Sequence, residues 1–219
     1  VFSSEVLAKT HTTTASQKSH LTKASNKQVS SKQEYSRNSA KSSSLPDLRK
    51  YPSGTPRKKA FLRTVMPYIT SQNAAITAER NWLISKQYQG QWSPAERARL
   101  KDIAKRYKVK WSGNTRKIPW NTLLERVDII PTSMVATMAA AESGWGTSKL
   151  ARKNNNLFGM KCMKGRCTNA PGKVKGYSQF SSVKESVSAY VTNLNTHPAY
   201  SSFRKSRAQL RKADQEVTA

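Results

Sequence analysis

Apolar residues in this chain begin to recur with a regular period only near Arg57, and that break decides what can fold. Before it, residues 1–56 are dominated by Ser, Thr, Lys, Gln and Asn, with Pro46, Pro52 and Pro56 closing the stretch. Such a segment cannot bury enough apolar surface to offset its conformational entropy, so it reads as a disordered basic tail. Only 36 % of the 219 residues are hydrophobic; a core is possible because they are concentrated downstream. No run approaches the roughly 18–20 apolar residues of a membrane-spanning helix, so an integral helical membrane protein is excluded. The chain opens VFSSEVLAK, without Met or an apolar stretch. No signal peptide is visible there, and a processed or truncated start is expected.

From Arg57 the pattern is helical. Phe61, Leu62, Val65, Tyr68 and Ile69 share a face, with Pro67 as an expected kink or stop. A second helical stretch carries Ile76, Trp82, Leu83 and Tyr88. Ser93-Pro94-Ala95-Glu96 starts a third, with Ser as cap, Pro at the first helical position and Glu at the third. Residues 57–112 therefore read as a helical N-terminal subdomain, and 113–219 as the main domain. The main domain has a short helix around Leu123 and Val127, then SMVATMAAAE from Ser133 to Glu142, closed by Gly144 and Gly146. Residues 147–172 look like basic loop, and Val174–Phe180 like a short strand. An amphipathic helix from Ser181 carries Val183, Val187, Tyr190, Val191 and Leu194, and a basic helix follows from about Ser201. The expected fold class is mainly α, with a small β element near 160–180.

Lys and Arg number 39 against 12 Asp and Glu, a net charge of +27. The excess points to an anionic partner without choosing among nucleic acid, headgroups and envelope glycan. With so few acids, each can be weighed. Glu5, Glu34 and Asp47 fall in the tail, Glu96 is a cap, and Glu79, Asp102 and Glu125 sit on helix surfaces. Glu142 differs. It ends a helix, where a carboxylate faces the negative end of the macrodipole at a cost of up to about 1 kcal/mol. It also shares a face with Met138, on the rim of the apolar stripe. Partial burial there would suit the general acid that a glycosidic oxygen requires. The alternative is an ion pair with a neighbouring Lys or Arg. Ser143-Gly144-Trp145-Gly146 then turns the chain and sets an indole beside the acid, suited to stacking on a sugar ring or to the core.

The segment AAAESGWGTSKLARKNNNLFGMK, continued by Tyr177-Ser-Gln-Phe-Ser-Ser-Val-Lys-Glu-Ser-Val and His197-Pro-Ala-Tyr200, resembles the signature of bacterial peptidoglycan glucosaminidases. That family includes flagellar muralytic domains and staphylococcal-type autolysins. The resemblance covers roughly 115–215 and implies a lysozyme-like fold. It makes Glu142 the general acid acting on β-1,4 bonds that follow N-acetylglucosamine in the wall glycan. It also implies a helper tyrosine, for which Tyr177, Tyr190 and Tyr200 are available and Tyr177 is favoured. Trp145, Asn155, Asn156, Phe158 and Tyr200 are the expected substrate-binding residues. The rings would stack on sugar faces and the amides would bond N-acetyl and hydroxyl groups. The family's last tyrosine-containing segment has no match before Ala219, so either the C-terminal end is truncated or that element is missing.

A two-carboxylate glycosidase needs a second acid about 5–10 Å from the first. None occurs from Ser143 to Lys184, and Glu185 fits a capping box with Ser182. Three routes stay open: the substrate's 2-acetamido group as nucleophile, Glu142 in both roles, or a weak or inactive enzyme. Cys162 and Cys167 are expected to close a small disulfide, which suits the periplasm or cell envelope. Free thiols are the alternative; a zinc site would need two more ligands, and His11, His20 and His197 do not have the spacing. No cofactor and no obligatory nucleic acid are expected; the partner is peptidoglycan and the chain a monomer. The rival reading is a non-catalytic basic module that binds anionic wall glycan or nucleic acid, with residues 203–212 as its recognition helix.

Overall fold

The structure, a computed structural model, describes residues 44–163, 167 and 170–217. Most of the expected tail, residues 1–43, lies outside them. Its last part does not behave as tail. Leu48–Lys50 form a 3-10 turn capped by Asp47, whose side chain accepts from the Arg49 amide. Asp47 also takes both forks of the Arg49 guanidinium, at 2.8 and 2.7 Å. Leu45 and Leu48 are buried in the main core. The sequence reading missed them because two leucines in a Ser-rich context carry no periodicity; what orders them is the surface they meet. Leu48→Ala is expected to destabilise the full chain by about 2–5 kcal/mol, read as a shift of the urea midpoint with unchanged slope.

Helix α1 spans Thr55–Lys86 without interruption. Pro67, expected to kink or stop it, is exposed inside the helix. A mid-helix proline costs about 3 kcal/mol, but Phe61, Val65, Ile69, Ile76 and Leu83 make one buried stripe running past it on both sides. Breaking the helix would unseat half of that stripe. Helix α2, Pro94–Arg106, starts with the expected capping box between Ser93 and Glu96. Helices α3 (Trp120–Arg126), α4 (Thr132–Ser143), α5 (Lys149–Asn154), α6 (Val183–Thr196) and α7 (Ser201–Lys212) complete the fold. Helix α5 falls where a loop was expected; Ser148 caps it by accepting from the Ala151 amide.

Residues on both sides of position 112 pack into the same core. Leu83, Leu100 and Ile103 share a single hydrophobic core with Leu123, Val135, Leu157, Val187 and Leu194, and α1 packs along both α4 and α6. The β element reduces to one antiparallel bridge, Lys161 opposite Tyr177. No helix among the described residues is long and apolar enough to cross a membrane.

Helix α7 is not the free basic face that DNA recognition would need. Arg204 and Arg207 are each only 2 % exposed. Arg204 donates to the Leu194 and His197 carbonyls, and Arg207 to those of Asp128, Ile129 and Glu125. Arg211 grips the Asp128 carboxylate at 2.8 and 3.0 Å.

Candidate active site

Helix α4 sets the site. Val135, Ala136, Ala139, Ala140 and Ser143 form its buried side, and the alanines leave room for α1 to lie close. Met134, Met138 and Glu142 follow one another at intervals of four along the edge of that side. Glu142 is therefore at the rim, as expected, but it is exposed and not half-buried, although Ala139, Ala140 and Ser143 in the same turn are buried.

The turn after it is tightly built. Gly144, Trp145 and Gly146 all have positive φ, at 55°, 55° and 77°. Trp145 N–H donates to the Ala140 carbonyl at 2.9 Å, and Gly146 N–H to Ser143 Oγ at 2.8 Å. A Cβ on Gly146 would lie 2.6 Å from Leu48 Cδ1 and 3.2 Å from Phe61, so both backbone and packing require glycine there. The Trp145 ring is engaged with α1. It meets Phe61 edge-on at 5.6 Å, and Lys58 Nζ sits 5.1 Å from its centroid.

The three asparagines are the frame of the next loop. Asn154 accepts from Val174 N–H and donates to the Val174 and Ser178 carbonyls. Asn155, in a left-handed conformation, accepts from Leu45 N–H and donates to the Phe180 carbonyl. Asn156 is 1 % exposed. It donates to the Met160 and Ser178 carbonyls and accepts from the Phe158 and Met160 amides. An amide has two donors and two acceptor sites, so Asn156 is saturated and has nothing left for a sugar.

That frame aims Phe158 and Gly159 at α4 and α6. Phe158 stacks flat on Tyr190, centroids 4.1 Å apart and planes within 4°. A Cβ on Gly159 would lie 3.1 Å from Glu142 Oε2, so the carboxylate rests over bare backbone. Burial pushes the Tyr190 hydroxyl up to about 12, helped by the neighbouring Tyr200 and by the charge of Glu142. Tyr190 thus stays a protonated donor at neutral pH, in the electrostatic reach of the acid. Tyr200 is half-buried, with the His197 ring 6.1 Å away. The sequence reading counted Tyr190 among the available helper tyrosines but favoured Tyr177, because Tyr190 has the spacing of the helix core.

Glu142 accepts no hydrogen bond and forms no ion pair with the described residues, whereas Glu79, Glu96, Asp102, Glu125 and Asp128 are all ion-paired. Tyr177 stands apart from it: it lines a cavity of about 310 Å³ with Cys162, Phe180 and Glu185. Glu185 does cap α6, though its carboxylate reaches Ser181 N–H and Oγ, at 2.6 and 2.7 Å, one residue before the N-cap. Cys162 and Cys167 form a disulfide, Cα atoms 5.4 Å apart.

Residues 119–218 match the family model described as glucosaminidase, mannosyl-glycoprotein endo-beta-N-acetylglucosaminidase. The matched segment begins at the N-cap of α3, contains α3 to α7, and leaves α1 and α2 outside it. Over that segment the mainly helical fold is consistent with a lysozyme-like glucosaminidase domain. No solved structure matches the chain significantly.

Proposed function

We propose that this protein is a cell-wall glycan hydrolase that cleaves β-1,4 bonds following N-acetylglucosamine in peptidoglycan, with Glu142 as general acid. The observation that carries the reading is an acid left unpaired in a chain of net charge +27, seated over Gly159 inside the glucosaminidase-matched segment. Asp47, Glu79, Glu96, Asp102, Glu125 and Asp128 each have a cation and Glu185 is held by Ser181, whereas Glu142 has neither kind of partner. Glu142 gives its proton to the glycosidic oxygen as the bond to C1 breaks. With Glu185 held by Ser181, the substrate's 2-acetamido oxygen is the group we assign to attack C1; water then opens the cyclic intermediate and returns the proton to Glu142.

In this reading Tyr190, which feels the charge of Glu142, and Tyr200 beside Tyr190 take over the helper role expected of Tyr177. Phe158 holds Tyr190 in place, and Asn155 and Asn156 shape the loop under the acid. Trp145 serves as a partly covered wall of the cleft's approach. The disulfide and the substrate both suit the periplasm or cell envelope.

Purified peptidoglycan incubated with the chain should give fragments with new reducing-end N-acetylglucosamine in mass spectrometry. Reducing or anhydro muramic-acid ends would reassign the bond. Absence of products, with wall still sedimenting the protein, would favour the basic binding module. A smaller change tests the seat of the acid. Gly159→Ala puts a methyl 3.1 Å from Oε2 at a φ of +62°, so the carboxylate must move. The shift needed is a few tenths of an ångström, so the initial rate of wall clearance should fall by about two- to fivefold, a fraction of what a 1 Å misplacement costs, while the helical circular dichroism signal persists.

A further inference from the structure

We propose that the depression between the start of α2 and the loop before α3 is a second binding site, specific for an oxyanion, carboxylate or phosphate, carried on the wall polymer. The cavity, about 540 Å³, is lined by Gln91, Trp92, Arg97, Thr115 and Arg116 among others. Nearly every described arginine is already engaged by a carboxylate, a carbonyl or an aromatic ring. Among the described residues, Arg63, Arg97 and Arg116 are those whose guanidinium meets none of these, and two of the three converge on this one cavity.

Nothing in the fold accounts for that convergence. Arg97 lies in the first turn of α2, where a cation faces the positive end of the helix. The acid beside it in sequence, Glu96, is committed to Lys86, Gln89 and Ser93. Like charges with no counter-ion repel unless a ligand supplies one. The rest of the lining suits such a ligand: the Thr115 hydroxyl and Gln91 amide offer neutral hydrogen bonds, and Trp92, 8 % exposed, gives an apolar wall. Tyr88, on the loop leading in, is 97 % exposed and packs on nothing. Guanidinium forks bind carboxylate and phosphate two atoms at a time. All these residues precede the matched segment at 119, so the site belongs to the part of the chain that the family match leaves out. The polymer rests on the hydrolase reading; the oxyanion chemistry rests on the cavity alone.

The test is a nuclear magnetic resonance titration of the full chain with inorganic phosphate, and separately with acetate, at constant ionic strength. The Trp92 indole and the Thr115 and Arg116 amides should shift saturably. Arg97→Gln with Arg116→Gln should weaken the apparent affinity at least about tenfold. Lys59→Gln with Arg63→Gln, which removes the same charge from exposed positions of α1, should leave it within twofold. Saturation by phosphate alone assigns a phosphate source, and saturation by acetate assigns carboxylates such as those of peptide stems. Shifts that never saturate, or that both variant pairs weaken equally, would overturn the site in favour of diffuse charge. Because the readout is binding, it can fail while Glu142-dependent cleavage stands, and the reverse.

Discussion

Glu142→Gln should slow wall hydrolysis by about a hundredfold or more and leave the unfolding midpoint unchanged. General acids contribute roughly 10²–10⁴ to rate, and glutamine keeps the shape of the side chain while removing the transferable proton. Stability should hold within about 0.5 kcal/mol, since the carboxylate is exposed and has no hydrogen-bond or ion-pair partner among the described residues. Glu185→Gln is the informative companion. Its carboxylate bonds Ser181 at the start of α6, so weakening it should cost about 0.5–2 kcal/mol, as lost caps do, with hydrolysis retained. The two variants should therefore separate, one in rate and the other in stability. A Glu142→Gln protein that keeps more than a tenth of the rate would remove the acid from the mechanism; a Glu185→Gln protein inactive at full stability would make Glu185 the second carboxylate.

Asp128→Ala should produce the largest loss of stability of any single acid in the chain, about 3–5 kcal/mol in a denaturant titration. The side chain is 1 % exposed and has Arg211 at 2.8 Å, Arg80 at 3.5 Å and Arg207 at 3.8 Å. Removing one partner of a buried ion network is costly chiefly because the remaining charges stay buried and uncompensated. Burial already presses Arg207 down to about 10, and the Asp128 charge is what opposes it. Asp128→Asn should recover part of the loss, because an amide oxygen still accepts from Arg211 without neutralising it. A loss below about 1 kcal/mol for the alanine variant would mean that the carbonyl acceptors of Arg204 and Arg207 hold this corner unaided.

Asp128 also shows where sequence reasoning stops. It goes unremarked in the sequence reading, because its three arginines come from α1 and α7, far away in the chain. Local signals were read well: the Ser93 capping box, the stripe of α6 and the glycine-closed end of α4 all appear where spacing put them. Pro67 was misjudged because helix α1 is held by packing along its whole length, which a local rule does not see. At the site, Glu142 stood out by type and position. Its exposure did not, since how much of a rim position is covered depends on which elements pack beside that edge of the helix. Asn155 and Asn156 were expected to bind sugar because amides do; their partners in 178–180 become visible only when that segment folds back over them.

The seat of Leu45 and Leu48 has a consequence for how the chain is made. Leu45 hydrogen-bonds to a residue 110 positions later, and Leu48 packs on Gly146. During synthesis at roughly 5–20 residues per second, these leucines wait on the order of 6–20 s before their binding surface exists. The turn that follows the acid is thus closed by a segment that emerges well before the surface it docks on.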